Sequence, residues 1–509
     1  MSAPAPLRIV IVGGGTAGWM TANLLAERWA DRGVRITLIE APDIAAIGVG
    51  EGSTPSLKRF FEVLGIAEAE WMPAAHATYK ASIRFCGWSP ASGMADYAHP
   101  FLSQVDVHTE DAFVLNCRNR RLGYDVPTAP ERFLLNGELA RQGKAPVAPA
   151  NFPFRIEYGY HFDAGLLGAF LRDHAVDRGV THLPRKVTGC LRHDGGDIAA
   201  VVTDRDERIE ADLFVDCSGF ARLLMDKALA VPFRSFADNL FNDAAVVMPT
   251  PPGADIPVET RSTALSNGWL WSIPLTHRTG NGYVHSSAFI SADAAERELR
   301  AALGMTDSPV EARHLRFEVG QLERHWERNC LAVGLAQGFI EPLEATALHL
   351  VLNTVELFMG HFEQGDFTPG HRDAFNAQIT ARVERVRDYR DYIVAHYKLN
   401  TRNDSDYWRA NRANEVLSDP LLHILDTWFR RGDLAGELAQ AGDLSHFTSA
   451  SWHCLLAGYG AFPPLAAQQR DDVDFHRDRD VARLLEGSAL NFAPHAELLR
   501  AMAQSEVPA

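Results

Sequence analysis

The stretch Arg8-Ile9-Val10-Ile11-Val12-Gly13-Gly14-Gly15-Thr16-Ala17-Gly18 decides the fold. A short apolar run that ends in glycines reads as a buried strand entering a tight turn. Residues 19–29 follow as a helical segment, and residues 34–39 as a second strand closing on Glu40. Together they form a βαβ opening with G-x-G-x-x-G at Gly13, Gly15 and Gly18. The glycines permit the turn, let the backbone approach a pyrophosphate, and let helix and strand pack closely. The helix N-terminus then faces the phosphates. Glu40 stands 22 residues after Gly18, where an acid bonding a ribose hydroxyl is expected.

Further strand-like runs of such a sheet recur downstream. Residues 212–216 lead into Cys217-Ser218-Gly219-Phe220, and residues 330–334 into Leu335-Ala336-Gln337-Gly338-Phe339. A nucleotide domain built from pieces near 5–60, 160–220 and 325–365 resembles FAD monooxygenases of the hydroxybenzoate hydroxylase type. The stretch Tyr160-His161-Phe162-Asp163 precedes an apolar helix near 166–174. Past residue 370 the texture changes. Ile379, Val383, Val386, Ile393 and Tyr397 recur at helical spacing with Arg and Asp between them. The expected division is therefore an α/β domain over 1–370, carrying an inserted sheet, and a mostly helical region over 371–509.

Composition narrows the function classes. The chain has 509 residues, enough for about two or three domains. The formal charge of -16 disfavours nucleic acid as a partner. The six cysteines are far apart with no C-x-x-C pair, so neither a zinc site nor a secreted disulfide framework is expected. With no signal peptide and no apolar run of spanning length, the expectation is a cytoplasmic protein that meets no membrane and holds no metal.

Three segments carry chemistry. Residues 78–85 alternate, with Tyr79, Ala81, Ile83 and Phe85 on one face of a strand and Thr78, Lys80, Ser82 and Arg84 on the other. They follow Gly48-Val49-Gly50-Glu51-Gly52, a glycine-rich loop suited to lying against a flavin. Trp269-Leu270-Trp271-Ser272-Ile273-Pro274 puts two indoles on one strand face, as a wall or as sheet core. In the third segment, residues 338–347, Pro342 blocks extension of any preceding helix and the segment from Ala345 on reads as a new helix. Its amides around Thr346 and Ala347 offer a seat for a small anion, with Glu344 at the same end.

Taken in order, the G-x-G-x-x-G fingerprint, the G-x-G-E loop, the lysine strand, W-x-W-x-I-P and P-L-E-x-T resemble the flavin-dependent tryptophan and indole halogenases over essentially the whole chain. The resemblance implies a FAD-binding, Rossmann-like monooxygenase fold with a mostly helical substrate part. It places Gly13, Gly15, Thr16, Ala17, Gly18, Glu40, Gly50, Leu335 and Gly338 at FAD. Lys80 matches the family's essential lysine and Glu344 its catalytic glutamate, while Thr346 and Ala347 match the halide-holding backbone. Trp269 and Trp271 match a barrier between flavin and substrate, and His99, Phe101 and Trp452 fall in regions that sandwich an indole. The family pattern Pro-Leu-Glu-Ser-Thr-Gly has alanine here at 345 and 347, which touches loop geometry and halide preference.

The implied reaction takes FADH2, O2 and chloride or bromide, and passes hypohalous acid to Lys80 for halogenation of an indole-like aromatic. The stretch His446-Phe447-Thr448-Ser449-Ala450-Ser451-Trp452 lacks the tyrosine pair that grips free tryptophan, favouring indole or another electron-rich aromatic. A separate NAD(P)H flavin reductase is implied, since no second dinucleotide fingerprint is present. Homodimerisation is compatible with this reading. The alternative is a FAD-dependent aromatic hydroxylase, which would have no need of Lys80.

Overall fold

A computed structural model describes residues 6–44, 50–385, 387–440, 447–469 and 476–505. Gly48, Val49, Val386 and His446 lie outside them, as does the side chain of Val383. The chain forms two compact units, one of Met1–His76, Phe162–Ala237 and Phe317–Val383, the other of Ala77–His161, Asp238–Arg316 and Glu384–Ala509. The inserted segments thus group with the C-terminal helices.

The first unit holds a six-stranded sheet in the order Trp326–Glu327, Cys330–Ala332, Leu213–Asp216, Arg8–Val12, Arg35–Glu40, Thr181–Pro184. All neighbours run parallel except the short antiparallel edge strand. Both faces of the central strands are covered, which is why Ile9–Val12 and Leu213–Val215 read as unbroken apolar runs. Helices Thr16–Arg28, Ala164–Asp177 and Ala347–Gln364 pack together in this unit. Val10, Val12, Ile39 and Phe214 pack instead against Ile198 and Val201 of a three-stranded sheet. Asp163 starts the helix Ala164–Asp177 by accepting from the amides of Gly165 (3.0 Å) and Leu166 (3.1 Å).

The second unit is organised on a seven-stranded sheet, in the order Arg313–Arg316, Ala244–Thr250, Thr279–His285, Gly268–Pro274, Glu259–Leu265, Ser82–Cys86, Asp96–Pro100. Only the pair Glu259–Leu265 and Ser82–Cys86 is parallel. The segment expected as one strand over 78–85 is two. Thr78–Lys80 pairs antiparallel with Gly159–Phe162, setting Lys80 opposite Gly159, while Ser82–Cys86 joins the large sheet. Ala81 is the break: its N–H donates to Val258 (2.7 Å) and its carbonyl accepts from Phe101 (2.9 Å). Both faces of the segment are buried, so Lys80 has no solvated side. No helix among the described residues is long and apolar enough to cross a membrane.

Candidate active site

The sequence-marked residues fall in both units. In the first unit the glycine positions differ in what they tolerate. A Cβ on Gly13 would fall 2.1 Å from the carbonyl oxygen of Cys217, and one on Gly18 2.0 Å from that of Gly13. Gly15, by contrast, has nothing among the described residues within 4 Å of that position. The tight contacts hold the loop in shape, and the open one leaves backbone accessible where helix Thr16–Arg28 begins. Residues 16–18 carry no acidic side chain to repel a phosphate. The Glu40 side chain lies against Gly14, its Oε2 2.9 Å from His182 Nε2 without hydrogen-bond alignment. This loop, its open position and a carboxylate beside it fit a dinucleotide such as FAD.

Two further turns meet this loop. Gly334 has φ +68, and a Cβ there would lie 2.7 Å from that of Ala17, so the turn carrying Leu335 presses on the start of the helix. Gly338 pairs with Gln321 in a small sheet of Phe233–Ser235, Gly320–Leu322 and Gly338–Phe339. Gly50 is buried with φ +102. Beside it the Glu51 carboxyl is pushed up to about 7, by burial first and by the charge of Asp163 second.

Glu344 is buried at the end of a single turn, Pro342–Glu344. Ala345 then takes a left-handed conformation, φ 57 and ψ 38, and helix Ala347–Gln364 starts after Thr346. The positive φ thus falls at 345, whereas Ala347 is already helical and has no need of glycine. The Thr346 side chain makes no cap hydrogen bond to this helix.

In the second unit Lys80 is fully buried, with its Nζ 5.3 Å from the centre of the Phe101 ring. Two histidines fix its strand. Thr78 Oγ1 donates to the Pro274 carbonyl (2.7 Å), which leaves it to accept from His161 Nδ1 (3.0 Å). His161 Nε2 then accepts from Thr260 Oγ1 at 2.9 Å. His495 Nδ1 donates to Ile256 (2.9 Å) and Nε2 accepts from the Tyr79 amide (3.2 Å). Burial holds both rings neutral. His161 lies well below its usual range, with Lys80 and His495 adding to the effect, and His495 is lowered to about 4.

Trp269 and Trp271 lie on one face of Gly268–Pro274, their ring centroids 6.0 Å apart. Trp271 lies on Gly282, where a Cβ would fall 2.0 Å from the indole, and its Nε1 has no partner among the described residues. His99 and Trp452 belong to one aromatic group with two residues the sequence reading passed over, Tyr392 and Phe447. Tyr392 and Phe447 stack at 3.7 Å with planes 6° apart, His99 approaches both, and Trp452 meets Tyr392 edge-on at 5.0 Å. Tyr392 donates its hydroxyl to the Ser451 carbonyl (2.9 Å). Helix Arg387–Leu399 supplies this tyrosine, far from any motif, so only the fold could have disclosed it.

The family model described as tryptophan halogenase matches residues 8–474. The tryptophan 6-halogenase SttH of Streptomyces toxytricini is 37% identical over 452 residues, covering 84% of this chain and 85% of that protein. Its crystal structure superposes with a TM-score of 0.83 at 34% identity, over 97% of this chain and 99% of that one. A flavin-dependent halogenase from Xanthomonas campestris also gives 0.83, at 31% identity, over 99% of this chain and 100% of the other. With that agreement in sequence and fold across nearly its full length, the chain belongs to the tryptophan halogenase family of flavin-dependent enzymes.

Proposed function

We propose that this protein is a FADH2-dependent halogenase that uses O2 and chloride or bromide to halogenate indole or an indole derivative. The observation that carries the reading is the fully buried Lys80, held against Phe101 in a unit that also groups His99, Tyr392, Phe447 and Trp452. When bound in reduced form, FAD supplies with oxygen the oxidising equivalent that converts halide to hypohalous acid. The chain's own residues do the rest. Gly13, Gly15, Gly18 and the helix that follows bind the dinucleotide, and Glu40 takes a ribose hydroxyl. Backbone amides at Thr346 and Ala347 hold the halide. Trp269 and Trp271 keep the organic substrate from the flavin.

Lys80 hydrogen-bonds hypohalous acid, or becomes a haloamine, and presents electrophilic halogen to one ring position. Glu344 stabilises the cationic ring intermediate and accepts its proton. A separate NAD(P)H flavin reductase delivers FADH2. The test is turnover of an indole panel with reduced FAD, O2 and either halide, read by mass spectrometry. Halogenated product that requires halide supports the reading. Hydroxylated product that forms without halide would overturn it.

A further inference from the structure

Arg222 lies at the carboxyl edge of the parallel sheet, on the turn that follows strand Leu213–Asp216. Ligands of open α/β sheets bind at this edge. The turn is tightly built. The Asp216 carboxylate accepts from the Ser218 amide (3.0 Å) and hydroxyl (2.6 Å) and from the amides of Leu224 (2.8 Å) and Met225 (2.9 Å). These four donors saturate the carboxylate, so it offers no lone pair to a nearby cation. The same turn lies directly on the glycine loop, because the Cys217 carbonyl occupies the place of a Gly13 Cβ and the Cys217 amide donates to Val12 (2.8 Å). The Gly334–Ala336 turn, which presses on Ala17, also packs on Gly219–Ala221.

The conformation of Arg222 is costly in two ways. Its backbone is left-handed, φ 45 and ψ 49, a region that costs a non-glycine residue about 1–2 kcal/mol. Its side chain is only 6% exposed, with the guanidinium 3.7 Å above the Phe233 ring. One nitrogen donates to Glu318 at 3.1 Å. Nε and Nη2 are buried with no partner among the described residues. A buried cation with two unmet donors is retained where a ligand completes it. Backbone strain of this kind collects at ligand clamps. The glycine loop itself, residues 13–18, contains neither lysine nor arginine to meet a doubly charged pyrophosphate.

We infer that Arg222 binds the pyrophosphate of FAD, donating from Nε and Nη2 to its oxygens and supplying the positive charge that the glycine loop lacks. The inference rests on the flavin-dependent reading above. Its test is equilibrium titration of the full chain, freed of flavin by dialysis, with FAD, ADP and riboflavin. FAD and ADP carry the pyrophosphate and riboflavin does not. Arg222→Gly removes the guanidinium and suits the left-handed backbone, and Arg222→Gln keeps a polar side chain in its place. In both variants the Kd for FAD and for ADP should rise about tenfold or more, with a weaker salt dependence, the size expected for one charge-assisted contact. Riboflavin affinity should not change.

Unchanged FAD and ADP affinity in two folded variants overturns the assignment and leaves the flavin reading intact. An equal loss for riboflavin also overturns it, since the arginine would then support the ring. Failure of the wild-type chain to bind FAD at all would overturn the flavin reading and this one with it.

Discussion

Because the Lys80 side chain has no exposed surface, replacing it tests chemistry more than surface charge. Lys80→Ala and the better-filling Lys80→Met should both abolish halogenated product while oxygen continues to reoxidise the flavin. Product formed at an undiminished rate by a folded variant, with a hypohalite scavenger present, would make the lysine structural. Glu344→Gln should slow halogenation by about 10²-fold, the lower end for losing an acid–base group. Ala345 gives a test on stability. Its left-handed backbone strains any residue with a Cβ, so Ala345→Gly should leave Tm unchanged or raise it, by up to about 1 kcal/mol of stability. Ala345→Val should lower Tm, and calorimetry of the two variants separates the outcomes. At this scale the sequence marked Lys80, Glu344 and the alanine substitutions. It could not tell which alanine carried the strain, because φ depends on where the next helix starts.

Elements decide what the glycine loop can accept. Gly18→Ala would drive a Cβ to 2.0 Å from the Gly13 carbonyl, so that variant should unfold or lose solubility. Gly15→Asp meets open space and should fold normally, yet lose FAD binding because its charge faces the phosphates. A folded Gly15→Asp protein that binds FAD as the wild type does would remove the loop from the cofactor site. The βαβ opening was legible because its strand is buried on both faces and its glycines are spaced by mechanics. The lysine strand was only half legible. Alternation over residues 78–85 is real, but the break at Ala81 comes from hydrogen bonds to Val258 and Phe101, which no local pattern encodes. Tyr392 was illegible for a similar reason: it sits in an ordinary amphipathic helix and acquires its neighbours only in the folded chain.

Over the whole molecule, buried neutral histidines should govern acid stability. Burial lowers His285, His453 and His495 to about 4 and His325 to about 3, and His161 lies well below its usual range. In the unfolded chain each would take up a proton near 6.5, so the folded state binds fewer protons below that pH. Stability is therefore full above about pH 6.5 and lost as pH falls toward 4, at up to about 1.4 kcal/mol per pH unit for each group. Glu51 and Asp106, raised to about 7 and about 6, act with the opposite sign over part of this window. Burial raises Glu110 and Glu131 as well, and the five histidines still outnumber the four acids, so Tm should fall between pH 6.5 and 4.5. A flat or rising Tm over that range would contradict the burial of these rings. The chain also passes between its two compact units five times, at residues 76/77, 161/162, 237/238, 316/317 and 383/384. Neither unit therefore corresponds to a continuous stretch of gene. A chimera that trades only the C-terminal quarter with a relative would import the ring made by Tyr392 and Trp452 but keep Lys80, His99 and Phe101 from the parent. Transplanting one complete unit needs three coordinated exchanges, and recombination at any single crossover mixes the two parents within at least one unit.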